Sequence, residues 1–175
     1  SDWLAMMMTM ESGDQGTDAR GLGNYVLGMT AAEGGIRPTP YSTNLAINDF
    51  SYGDIGNLSV PHGVGYGWGT VLWEVSWAFI DQYGFDPDLE HGTGGNNMAI
   101  QLIIEAMKLQ PCSPGFVDAR DAILAADKAL FNGDNQCLLW EAFAKRGVGF
   151  SADQGSSQLI QDGQEAFDLP PLCEK

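Results

Sequence analysis

Pro61-His62-Gly63-Val64-Gly65-Tyr66-Gly67-Trp68-Gly69-Thr70-Val71-Leu72-Trp73-Glu74-Val75-Ser76-Trp77-Ala78-Phe79-Ile80-Asp81-Gln82-Tyr83 is the stretch on which the reading of this 175-residue chain turns. Proline stands in the first turn, where a missing N–H costs nothing. Val64, Trp68, Val71, Leu72, Val75, Trp77, Phe79 and Ile80 then surround most of a helical axis. A helix apolar nearly all round belongs in the centre of a domain. Gly63, Gly65, Gly67 and Gly69 indicate a second element packed closely on its first turns.

Downstream, Gly84 to Asn97 is a polar, glycine-rich loop, and Asn97 to Leu109 repeats the helical spacing with Ile100, Ile103, Ile104 and Met107. Ser113 reads as an N-cap and Pro114 as the first residue of a third helix carrying Phe116, Val117, Ile123, Leu124 and Leu130. A fourth is predicted from about Asp134, with Leu138, Leu139, Trp140, Phe143 and Ala144 inward. Lys145 and Arg146 sit in its last turn, as the helix dipole favours, and Gly147 closes it. Gly149 to Lys175 reads as a surface tail. Upstream, Ser1 to Met10 is a short helix, and Asp18 to Val60 has no sustained period; long irregular segments in compact domains are commonly functional. The expected fold is mainly α: a compact helical bundle, residues 1–149, with a long irregular segment before its central helix, followed by a tail, 150–175.

Composition narrows the function. With 23 acids against 8 bases the net charge is −15, which argues against nucleic acid and anionic membranes as partners, since both need clustered Lys and Arg. No apolar run approaches a membrane span. The opening residues Trp3, Leu4, Ala5, Met6, Met7 and Met8 read like the middle of an apolar helix, so a fragment is expected. Of three cysteines, Cys112 and Cys137 are expected to form a disulfide between the turn before the third helix and the start of the fourth, consistent with an oxidising compartment. Two buried free thiols are the alternative.

His62 and His91 are the two imidazoles. No HExxH pair, His–Cys cluster, GxSxG elbow, phosphate loop or dinucleotide fingerprint accompanies them, so no metal site is expected within this chain. His62 opens the buried helix just after the irregular segment. A neutral imidazole held there as a hydrogen-bond donor can stabilise a developing oxyanion; the alternative is a histidine that satisfies loop carbonyls. Arg37, alone, would be a surface ion pair. Asp2 is either a partner for the helix N-terminus or part of a buried network. The loop Asp86-Pro87-Asp88-Leu89-Glu90-His91-Gly92 offers oxygens for calcium, without EF-hand spacing, or is a solvated turn.

Several of these segments together resemble a known family. Ser1-Asp2-Trp3, Gly35-Ile36-Arg37-Pro38-Thr39-Pro40-Tyr41-Ser42, Pro61-His62-Gly63-Val64-Gly65, Gly92-Thr93-Gly94-Gly95-Asn96-Asn97, Met107-Lys108-Leu109-Gln110-Pro111-Cys112 and Ala142-Phe143-Ala144-Lys145-Arg146-Gly147 closely resemble the C-terminal half of the fungalysins, secreted thermolysin-like zinc metallopeptidases. The likeness runs from Ser1 to about Gly149. It implies a thermolysin-like C-terminal subdomain, extracellular location, and zinc held by an HExxH helix and a Glu three residues before Ser1. It implies Asp2 as a carboxylate behind a zinc-bound histidine, His62 as the oxyanion donor, and Arg37 as a grip on a substrate carbonyl. Where thermolysin-like enzymes carry an Asp five residues before that histidine this chain has Asn57, and Asp54 is a possible substitute. The implied partners are the HExxH-bearing part of the same protein and peptide or protein substrates. The chain alone is expected to be inactive and to self-associate or refold over Ser1–Met10; calcium is possible. The rival expectation is a non-catalytic helical binding module.

Overall fold

The computed structural model describes residues 1–30 and 32–174. It is mainly helical: α1 (Asp2–Met8), α2 (Asn24–Leu27), a 3-10 turn (Tyr52–Asn57), α3 (His62–Tyr83), α4 (Gly95–Leu109), α5 (Phe116–Phe131), α6 (Gln136–Lys145) and a second 3-10 turn (Pro171–Cys173). Among the described residues extended backbone pairs only at isolated bridges, such as Arg20 with Tyr41 and Asp153 with Gln164.

Helix α3 runs through the centre of the bundle and packs against α1, α4 and α6. Val71, Trp73, Val75 and Phe79 are all but inaccessible. The close approach anticipated from its glycines occurs at two of them in particular. A Cβ on Gly67 would lie 2.5 Å from the Phe50 ring, and one on Gly69 would lie 3.1 Å from the Tyr41 hydroxyl. The irregular segment is therefore the element that packs on the first turns of α3. Gly65, by contrast, has nothing within 4 Å of its Cβ position.

One buried ion pair fixes that segment. The Arg146 side chain is fully buried. Its Nε donates to Glu74 Oε1 at 2.8 Å, its Nη1 to the carbonyls of Asn48 (2.7 Å) and Phe50 (3.0 Å), and its Nη2 to the Ser42 carbonyl (2.7 Å). Lys145 Nζ reaches the other Glu74 oxygen at 2.8 Å. Arg146 therefore does much more than complement the dipole of α6. As the residue after the helix it turns inward and ties α3 to residues 42–50, with its donors paired as burial of a charge requires.

Two expectations are corrected. Helix α5 begins at Phe116 with Gly115 as its N-cap, because Ser113 adopts a left-handed conformation, φ 54°, outside the extended region an N-cap uses. Asp118 accepts the Gly115 N–H at 3.0 Å and closes the first turn. The disulfide Cys112–Cys137 does not form: Cys137 is bonded to Cys173, with Cα atoms 5.2 Å apart, and Cys112 is an exposed free thiol. The reason is topological. Cys112 precedes α5 and Cys137 follows it, so the two lie at opposite ends of a 16-residue helix, about 24 Å long at 1.5 Å per residue. A disulfide needs Cα atoms within roughly 7 Å.

Residues 150–174 are irregular but fastened. Gly149 N–H donates to the Ala166 carbonyl at 2.8 Å, Asp153 and Gln164 exchange two backbone bonds, and Glu165 accepts from Ser51 Oγ (2.5 Å) and Gly53 N–H (2.9 Å). Arg120, stacked 4.8 Å above the Trp140 ring, donates to the Gly149 carbonyl.

Candidate functional site

Three separate segments converge beside the N-terminus of α3. Asp2 comes from α1, whose Trp3, Met6 and Met7 are buried and whose Trp3 Nε1 donates to Ser76 Oγ of α3 at 2.8 Å. That apolar anchor sets where Asp2 stands. Arg37 comes from the irregular segment. His62 is the first residue of α3, entered through a cis Val60–Pro61 peptide bond. Asp2, Arg37, Pro61, His62, Gly65 and Trp68 line one depression of about 200 Å³.

Asp2 and Arg37 form a two-pronged ion pair. Nε meets Oδ2 at 2.5 Å and Nη2 meets Oδ1 at 3.0 Å, while the Tyr41 hydroxyl donates to Oδ2 at 2.9 Å. The side chains of Arg37 and Asp2 are only 14% and 11% exposed. Burial by itself would push the Asp2 carboxyl up, but the hydrogen bonds from Arg37 and Tyr41 and the guanidinium charge outweigh it and hold the carboxyl below its ordinary range. Asp2 raises Arg37 in turn. Burial first, then the bond to Asp2, pushes the Tyr41 phenol well up. At neutral pH the trio is carboxylate, guanidinium and neutral phenol.

This arrangement leaves usable valences. Arg37 spends two of its five N–H donors on Asp2, and Asp2 Oδ1 accepts a single bond. The pair can therefore present a donor to a carbonyl in the depression while Oδ1 receives one further N–H. His62 is exposed, and its imidazole has no hydrogen-bond partner among the described residues. Neither residue weighed as its orienter reaches it: Asp54 caps the 3-10 turn by accepting the Ser51 N–H at 2.9 Å, and Asn57 makes no bond to it. An imidazole so placed can donate a proton or a hydrogen bond to an anionic oxygen above Asp2 and Arg37.

Tyr41 is the site residue that sequence reasoning did not single out, although it lies in the same quoted motif as Arg37. Its ring is fully buried and fits where Gly69 leaves room. The signal was present in two parts, a tyrosine four residues after the arginine and a glycine two turns inside the helix. Only packing joins them.

The other candidates stand apart. In the Asp86–Gly92 loop three carboxylate oxygens accept local N–H bonds: Asp86 accepts from Asp88 N–H (3.0 Å) and Thr93 N–H (3.1 Å), and Asp88 Oδ1 from Glu90 and His91 N–H (both 3.0 Å). Asn96 clasps the Asp86 backbone through two bonds of 2.9 and 2.8 Å. Among the described residues no three His, Cys, Asp or Glu side chains gather closely enough to hold a metal ion. Near His62 the one carboxylate is already engaged by Arg37 and Tyr41.

Comparison with known proteins identifies the family. Residues 1–152 match the family model of the fungalysin metallopeptidases. Among curated proteins the chain is 40% identical over 181 residues to an extracellular metalloproteinase 2 of Arthroderma gypseum, covering 98% of this chain and 27% of that protein. It is 43% identical over 167 residues to the extracellular metalloproteinase MEP of Neosartorya fischeri, covering 91% and 26%. With an extracellular metalloproteinase 2 of Trichophyton tonsurans it shares 42% identity over 158 residues, covering 86% and 24%. The chain thus spans about a quarter of the length of the relatives it matches. Since the family match takes in Asp2, Arg37, Tyr41, His62 and every helix of the bundle, the chain belongs to the fungalysin metallopeptidase family.

Proposed function

We propose that this chain is the C-terminal helical part of a secreted zinc endopeptidase, with residues 1–149 as the helical subdomain, 150–175 as its tail, and His62 as the donor that stabilises the oxyanion of the reacting peptide carbonyl. The observation that carries this reading is the convergence of Asp2, Arg37 and His62, from three segments, on one depression. Zinc, held by residues outside this chain, would supply activated water. The roles assigned to this chain's own residues are orientation and charge. Arg37, fixed by Asp2, directs its free N–H groups at a substrate carbonyl; His62, at the rim, donates to the oxygen on which negative charge develops. Asp2 offers its remaining Oδ1 lone pair to an imidazole N–H on the missing side of the cleft, the arrangement by which a carboxylate orients a metal-bound histidine. The names of the relatives, extracellular metalloproteinases, support both secretion and the reaction class.

The missing side has a surface to rest on. A depression of about 460 Å³ lies against the first and shares Gly65 and Trp68 with it; Leu4, Ile104, Met107 and Phe116 are among its walls. Met107 is 51% exposed and Ile104 38%. Apolar surface of this kind fits cover by the HExxH-bearing part of the parent protein.

The test is His62→Ala in the full-length protein, with steady-state cleavage of a peptide substrate as the readout. Losing one oxyanion donor lowers kcat on the order of 10²-fold, with melting temperature unchanged because the side chain is exposed. Undiminished kcat would refute the assignment.

A further inference from the structure

We propose that the loop Ser157–Asp162 and the entry to α3 together form a second substrate subsite, a pocket for a large uncharged apolar side chain of the peptide, which adjoins at Pro61 the depression that Arg37 lines. The proposal rests on the peptidase reading above. Residues 157–162 face Val60, Pro61 and Val64 across a depression of about 500 Å³, within the range of ligand sites. It holds one bulky side chain and its flanking peptide units.

The occupant follows from the lining and the place. Val60 is 68% exposed and Leu159 61%, and Pro61, Val64 and Ile160 complete an apolar wall. The rim is Ser157, Gln158 and Gln161, neutral groups able to pair with a peptide backbone. The one charged residue of the lining, Asp162, has its carboxylate turned to the Ser156 N–H at 2.9 Å. Nothing in the pocket favours a charged side chain. Pro61 belongs to both this pocket and the depression holding Asp2, Arg37 and His62, so the two adjoin at that residue and a peptide bound in one can extend into the other.

The outer wall is fixed in place by long-range contacts. Asp153 and Gln164 exchange backbone bonds of 3.0 and 2.7 Å at the base of the loop. Glu165 is bonded to Ser51 and Gly53, and the Ile160 carbonyl comes within 3.3 Å of a Cβ position on Gly56. The loop thus rests on the same 3-10 turn that leads to His62, so wall and imidazole hold a common register. The loop lies beyond residue 152, where the family match ends. Its sequence would therefore set selectivity separately from the chemistry.

The experiment compares the full-length wild-type enzyme with Leu159→Asp and Leu159→Met on a peptide library varied one position at a time, reading kcat/KM and the cut site by mass spectrometry. At one fixed position from the cut, the wild type prefers a bulky apolar residue over alanine. In Leu159→Asp that preference falls about 10-fold, the scale of one lost apolar contact, while the alanine peptide is cut as before; Leu159→Met keeps the preference. Leu159 is exposed, so melting temperatures stay alike. An unchanged preference, or an equal drop for every peptide as expected if another part of the protein covers this pocket, overturns the subsite alone. An inactive wild type refutes the peptidase reading and the subsite with it.

Discussion

Replacing Tyr41 by Phe removes one oxygen and nothing else from the Asp2–Arg37 centre. The ring remains packed against Tyr66, 5.4 Å away between centroids, and beneath Gly69, so no cavity larger than a hydroxyl opens. What is lost is the 2.9 Å bond to Asp2 Oδ2. Hydrogen bonds to charged groups contribute about 1.5–3 kcal/mol. Because Asp2 keeps both bonds to Arg37, the lower end applies, about 1.5 kcal/mol, or about 3–6 °C in melting temperature for a chain of this size. The pH dependence makes the test specific. Asp2 is held below its ordinary value, so the stability it brings is complete above the unfolded value of about 3.9 and is lost as pH falls through the folded value. The difference between wild type and Tyr41→Phe is therefore full at pH 7 and shrinks as the medium is acidified below pH 4. Urea titrations of the two proteins at pH 7 and pH 3, followed by tryptophan fluorescence, measure it. A difference that is the same at both pH values, or absent at pH 7, refutes the reasoning that Tyr41 stabilises the ionised carboxylate.

Arg146→Met leaves Glu74 buried with Lys145 as its one cationic partner and strips three backbone carbonyls of their donor. A loss of about 3–5 kcal/mol in denaturant unfolding is expected, and a loss below about 1 kcal/mol would show that residues 42–50 are held by packing instead. Cys173→Ser opens the 36-residue separation closed by the disulfide and costs about 4 kcal/mol in the chain-entropy account; Cys112→Ser, at an exposed thiol, changes stability by less than about 0.5 kcal/mol. Equal effects from the two serines in thermal melts would contradict the Cys137–Cys173 pairing.

The sequence by itself determined the elements whose signals are local. The apolar run of α3 behind Pro61, the periodic faces of α4, α5 and α6, and the placement of His62 at a helix start all depend on spacings within a dozen residues, and the resemblance carried by the motifs pointed to the fungalysins. Tertiary structure alone decided how those elements share side chains. Cys137 pairs with Cys173 and not Cys112 because α5 separates Cys112 from Cys137 by its full length. Arg146 is a buried anchor and not a dipole partner because residues 42–50 fold over α3 and present three carbonyls to it. Tyr41 becomes part of the site because Gly69 admits its ring and α1, pinned by Trp3, brings Asp2 within reach of its hydroxyl. Each of these depends on contacts between residues tens of positions apart, and such contacts exist only once a helix face, a loop and a buried charge have been packed against one another. A local period records which face is apolar; it does not record what will lie on it.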